Sequence, residues 1–204
     1  MVAAPLDLGA RHATPIEAVV VGASAGAVEA LNVLLPPLPR ALSASLVVLV
    51  HLSARVPSLL PELFVSKCAP PVLEPFDKQA VGTGTIWFAP ANYHLLIERE
   101  RTFSLSVDEP VNYSRPSIDV LFESAAVAYG PALLALVLTG ASRDGCNGAM
   151  QVRRSGGLVA VQDPATAVAP MLPRMVVERA QPQVVGTLSE LSHLLLELTR
   201  SDKS

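Results

Sequence analysis

Charge, aromatic rings and cysteine are all scarce in this chain of 204 residues: 16% of positions are charged, 4% are aromatic and two are cysteine. Each shortage excludes something. Lys and Arg number 15 against 18 Asp and Glu, a formal net charge of −3, with no basic run and no basic–aromatic interleaving. That balance argues against nucleic acid or an anionic membrane surface as a partner. Cys68 and Cys146 stand far apart, without C-x-x-C or His/Cys ligand spacing. Neither a disulfide framework nor a metal site is indicated, and a reducing compartment fits better. No apolar run is long enough to span a bilayer, and residues 1–14 lack a basic start followed by an apolar stretch. The reading is therefore no membrane insertion, no signal peptide and a cytoplasmic location. What is abundant is Val, Leu and Ala, and 50% of the chain is apolar. The length suits one sizeable α/β domain better than two.

Residues 1–15 read as a loose leader and 16–204 as that domain. A strand at 17–23 opens it, and a helix over 27–35 stops at Pro36-Pro37, which remove donors and fix φ. Residues 45–50 form a second strand, apolar on both sides as a central parallel strand should be, and it ends at His51. A helix from Pro57 or Ser58 to Lys67 is closed by Pro70-Pro71. Between 81 and 107 the pattern changes: a short strand at 85–88, another at 94–98, then Phe103, Leu105 and Val107 alternating with serines. Period two with one wet face predicts an antiparallel insertion. Pro116 opens a helix striped by Ile118, Leu121, Phe122, Ala125 and Tyr129. A third central strand at 133–138, a helix at 145–154, a strand at 158–161 and short helices around prolines at 164–180 follow. Thr187 and Glu190 make a capping box for a last helix buried through Leu188, Leu191, Leu195 and Leu198. The fold class is α/β: a doubly wound, mostly parallel sheet with helices on both faces and a small antiparallel hairpin insertion.

Sheets of that kind place their sites beyond the carboxyl ends of the strands. Gly22-Ala23-Ser24-Ala25-Gly26, straight after Val19-Val20-Val21, has the G-x-S-x-G spacing of a nucleophile elbow, and equally suits a phosphate-binding turn. After the second and third apolar strands stand His51 and Asp144. A hydroxyl, an imidazole to take its proton and a carboxylate to orient the imidazole are what activates a serine at neutral pH. Each has a bland alternative: Ser24 as a turn former, His51 as a structural histidine, Asp144 as an N-cap before Gly145. Their joint appearance at strand ends favours the triad. His94 in the hairpin, His193 among leucines and His12 in the leader are weaker candidates, and Cys146 reads as a small buried filler. Arg115 meets an acidic substrate or caps a surface, with nothing in the spacing to choose between them. A nucleotide-dependent reductase would want a Tyr-x-x-x-Lys pair, but Tyr93, Tyr113 and Tyr129 are followed four positions on by Ile97, Ser117 and Leu133.

Taken together, Gly22 to Gly26, Val50-His51, Ala89-Pro90-Ala91-Asn92-Tyr93-His94, the run from Asn112-Tyr113-Ser114-Arg115-Pro116-Ser117 to Phe122, and Leu138-Thr139-Gly140 with Asp144-Gly145 resemble one family. It is the catalytic domain of the CheB-type chemotaxis protein-glutamate methylesterases, and the resemblance runs from about residue 17 to 200. It implies hydrolysis of glutamyl methyl esters, with deamidation of glutamines, on the cytoplasmic helices of methyl-accepting chemoreceptors. It further implies Ser24 as nucleophile, His51 as general base and then acid, Asp144 as its orienter, and backbone amides at Ala25 and Ala141 as oxyanion or substrate contacts. No metal and no organic cofactor are implied; a chemotaxis kinase or response regulator is a further implied partner. This chain departs from the familiar pattern at Ala25, at Leu52-Ser53 and at Ala141-Ser142-Arg143. Those changes motivate the main alternative, a non-catalytic module that keeps the fold and docks on a receptor or kinase.

Overall fold

The computed structural model describes residues 14–51 and 59–200. Its frame is a seven-stranded sheet of β1 (Ala18–Ala23), β2 (Ser45–Val50), β3 (Val72–Leu73), β4 (Ile86–Phe88), β7 (Leu133–Val137), β8 (Leu158–Gln162) and β9 (Val184–Gly186). The order across the sheet is β3-β4-β2-β1-β7-β8-β9, and every pair is parallel. Strands β5 (His94–Ile97) and β6 (Phe103–Ser106) pair antiparallel in a separate two-stranded sheet, the hairpin insertion that the alternating pattern predicts. Chain order runs outward from β1 to β2 on one side and then resumes with β7 on the other, so the winding reverses beside β1. That reversal is where such sheets open a crevice.

All six residues of β1 and of β2 are buried, which is why both read as unbroken apolar runs. Alternation still sorts their side chains. Val19, Val21 and Ala23 share one core with Leu46, Val48 and Val50, covered by α1 (Ala27–Leu34), α2 (Leu60–Val65) and α6 (Leu188–Thr199). Ala18, Val20, Val47 and Leu49 face the opposite core, under α3 (Ile118–Tyr129), α4 (Cys146–Arg154), α5 (Met171–Ala180) and the hairpin. By the same parity Ser24 and His51, one step past these strands, fall on the α3 face. Among the described residues no helix is long and apolar enough to cross a membrane.

Several boundaries differ from the sequence reading for physical reasons. Residues 164–180 do not form several short helices; one helix, α5, spans Met171–Ala180. Its Pro173 sits in the first turn, where a missing N–H breaks no intrahelical bond. Helix α3 begins after Ser117, whose hydroxyl accepts from the Val120 amide at 3.4 Å, not at Pro116. The strands β3 and β9, two and three residues long, are too brief to leave a periodic signal. The expected start of α2 at Pro57 or Ser58 lies outside the described residues.

Candidate active site

Ser24 and His51 are neighbours because β1 and β2 are in register. Ala23 pairs with Val50, and the His51 amide donates to the Ala23 carbonyl at 3.2 Å. Adjacent strands lie about 4.8 Å apart, and parity sends both following side chains to one face. On its other side the Ser24 amide donates to the Thr139 carbonyl at 2.9 Å, just past β7. The serine thus stands at the reversal of the sheet, between two strand ends.

Two glycines make the crowding around Ser24 possible. A methyl group on Gly22 would lie 2.5 Å from Ile118 Cγ2, so only glycine lets the start of α3 descend onto β1. Gly26 has φ of +82°, and a Cβ there would meet Val168 at 2.7 Å. The turn is held from beneath by Thr139. Its hydroxyl donates to the Ala25 carbonyl at 2.8 Å and accepts from the Ala169 amide at 2.8 Å. The residues of the expected oxyanion amides, Ala25 and Ala141, are both exposed at this edge. From Ala141 an open groove extends past Met171, Arg174, Met175 and Glu178.

Asp144 reaches the same place from the loop before α4. His51 Nε2 lies 2.7 Å from Asp144 Oδ2. The imidazole is 12% exposed and the carboxylate wholly buried. Such burial is costly for a charge unless donors surround it, and here they do. Oδ2 also accepts from the Ile118 amide at 2.6 Å, while Oδ1 accepts from the Ser117 hydroxyl at 2.6 Å, the Asp119 amide at 3.2 Å and Asn112 Nδ2 at 3.3 Å. The two backbone donors and Ser117 are the start of α3, where free amides favour an anion. Burial by itself pushes the Asp144 carboxyl up, yet bonds from His51, Ser117 and the Ile118 amide, with the nearby imidazole charge, hold it below the ordinary carboxylate value. An ionised carboxylate only accepts, so Nε2 carries the proton of that bond and the lone pair of a neutral ring is at Nδ1.

The other candidates from the sequence fall elsewhere. His94 is buried in the hairpin with Nε2 on the Glu109 carbonyl at 3.1 Å, and His193 is exposed on α6. Burial pushes the Cys146 thiol up, as suits a filler rather than a nucleophile. Arg115 spends Nη1 on the Val107 and Asp108 carbonyls at 2.7 and 2.9 Å, so it ties the hairpin exit to the start of α3. His12 and residues 52–53 lie outside the described residues. Spacing alone assigns no role to Asn112, Ser117, Asp119 or Thr139. Only Ser117 carried a readable signal, as a serine ahead of an apolar-periodic helix.

The sequence model of the CheB methylesterase family matches residues 19–195. A protein of Leptospira interrogans is 39% identical over 186 residues, covering 91% of this chain and 96% of that one. The protein-glutamate methylesterase/protein-glutamine glutaminase of Trichodesmium erythraeum is 35% identical over 185 residues, covering 89% of this chain but 52% of its own length. This chain therefore spans about half of that relative. Among solved structures, the Thermotoga maritima CheB methylesterase catalytic domain superposes with a TM-score of 0.84 at 29% identity, covering 91% of this chain and 100% of that one.

Proposed function

The chain belongs to the CheB methylesterase family, and on that premise we propose that it hydrolyses glutamyl methyl esters on the cytoplasmic helices of chemoreceptors, and deamidates glutamine there, through Ser24, His51 and Asp144. Residues 16–204 are the catalytic domain in this reading. The enzyme acts in the cytoplasm, with a chemotaxis kinase or response regulator as a further contact.

The observation that supports the reading is the His51 Nε2 to Asp144 bond at 2.7 Å, at the strand-end edge where in-register strands bring the backbones of residues 24 and 51 side by side. Since Nε2 is committed to Asp144, His51 Nδ1 is the base. It takes the Ser24 proton as Oγ attacks the ester carbonyl, and the imidazolium then donates from Nε2 to the Asp144 carboxylate. The amides of Ala25 and Ala141 receive the oxyanion, an effect worth about 3 kcal/mol per donor. Collapse of the tetrahedral adduct breaks the C–O bond to the methyl group's oxygen, and Nδ1–H protonates departing methanol. A water, deprotonated by Nδ1, then attacks the glutamyl-serine ester, freeing Ser24 and leaving a glutamate carboxylate. For a glutamine the first leaving group is ammonia.

Ser24→Ala is expected to abolish methanol release from a methylated chemoreceptor, by about a million-fold for a nucleophile of this kind, with the thermal unfolding midpoint unchanged. A variant keeping most of the activity would sink the assignment.

A further inference from the structure

Helices α3 and α4 pack on each other, and each start is capped by a carboxylate from the other segment. Asp144, just ahead of α4, accepts from the Ile118 and Asp119 amides at the start of α3. In return Asp119, in the first turn of α3, accepts at Oδ1 from the Gly145 amide at 2.9 Å and the Gly148 amide at 2.7 Å, at the start of α4. Its Oδ2 accepts from Asn112 Nδ2 at 3.0 Å, the same nitrogen that reaches Asp144 Oδ1 at 3.3 Å. From this exchange we infer that Asp119 is a positioning residue of the esterase, holding Asp144 against His51. The inference rests on the triad reading above.

Of the bonds named for Asp119, all but the one from the Gly148 amide bear on Asp144. The Gly145 amide belongs to the peptide unit that leaves Asp144, so Oδ1 pins the backbone from which the triad carboxylate projects. Through Asn112, Oδ2 fixes a donor to the Asp144 carboxylate, and the Asp119 amide is itself another donor. Packing alone does not call for an acid here. Asp119 is 3% exposed, and a buried carboxylate beside a second one is a costly way to fill space. Burial, foremost, and the neighbouring Asp144 charge push its carboxyl up against the amides and Asn112 that stabilise it. What a carboxylate alone supplies is acceptor capacity on both oxygens, with no hydrogen to turn toward Asn112. Asn at this position keeps the size but sets one amide nitrogen against another.

The test is a double-mutant cycle on Asp119→Asn and Asp144→Asn, read by methanol release from a methylated chemoreceptor and by the rate at which a fluorophosphonate labels Ser24. Asp119→Asn is expected to lower both about 10- to 100-fold, with KM within about twofold and cooperative unfolding retained. In the Asp144→Asn background the same substitution should change the labelling rate by less than about twofold, because nothing is left to position. A merely structural role would carry its full cost into both backgrounds, and that result overturns the inference. If Asp119→Asn does not fold, Asn112→Ala, at a half-buried turn residue, serves in the same cycle. It is expected to lower the rate severalfold in the wild type only, and an equal loss in both backgrounds again overturns the role. Normal methanol release from Ser24→Ala and Asp144→Asn would defeat the esterase reading and this role with it. Loss in those two, with full activity in Asp119→Asn and Asn112→Ala, would defeat the positioning role alone.

Discussion

The two faces of the sheet are built from different materials. Under α1, α2 and α6 the core is hydrocarbon: leucines and valines, with Phe64 stacked on Phe88 at 5.7 Å between ring centroids. Thr199, a deeply buried polar residue on α6, is settled locally by donating to the Leu195 carbonyl. Under α3, α4 and α5 an equally apolar core carries two buried carboxylates, Asp119 and Asp144, at its strand-end rim. The first face gains stability by removing apolar surface from water, which specifies density more than direction. The second spends part of that gain on holding charge where water cannot reach it, and in exchange fixes a direction: His51 turns Nε2 to Asp144. Hydrocarbon packing and buried charge are thus divided between opposite sides of one sheet.

That contrast can be broken by substitution. The largest effect is expected from Asp144→Asn on the polar face, with kcat down about 10,000-fold, as for carboxylates that orient a catalytic imidazole. The same variant has a stability signature. Asp144 is held below its ordinary value, so its contribution is present above the unfolded carboxylate pKa of about 4 and is lost as pH falls through the lower folded value. Urea titrations from pH 7 downward should show the stability gap between wild type and variant closing below about pH 4. A gap that widens there would contradict the donor cage. Asp119, pushed up, works with the opposite sign: the stability it withholds at neutral pH returns as pH falls through its folded value.

Next in size comes Leu31→Ala on the apolar face. Leu31 is fully buried in α1, in the core that it shares with residues of β1 and β2, and the variant should lose about 2–5 kcal/mol of stability in denaturant titration. At a temperature where it stays folded, its kcat should match the wild type; a large drop would show that the two faces are not separable. The smallest effect belongs to Thr187→Ala. Thr187 caps α6 with Glu190, and its amide donates to Glu190 Oε2 at 2.8 Å. Losing that cap should cost about 1 kcal/mol, visible as a lowered unfolding midpoint with no change in fluorophosphonate labelling.

Much of the scaffold was legible before any coordinates. Runs such as Val19-Val20-Val21 and Val47-Val48-Leu49 read as central strands, being short, β-branched and apolar on both sides. The hairpin announced itself by alternation, and the capping box at Thr187 by its spacing. Of the site, three strand-end residues could be singled out, but strand order could not, and without it Ser24 and His51 had no reason to be neighbours. Asp119 was invisible for a different reason: an acid in a first helical turn is common, and nothing local says that its partners belong to another helix.

Residue by residue, the chain dictated its own local periods, breaks and parities, because these depend on backbone sterics and on side chains a few positions apart. Which strand lies beside which, which helix start faces which, and hence the company each carboxylate keeps, arose only on folding. Those contacts join residues such as 51 and 144 or 119 and 148, and such partners are chosen by packing of the whole core rather than by any neighbour along the chain.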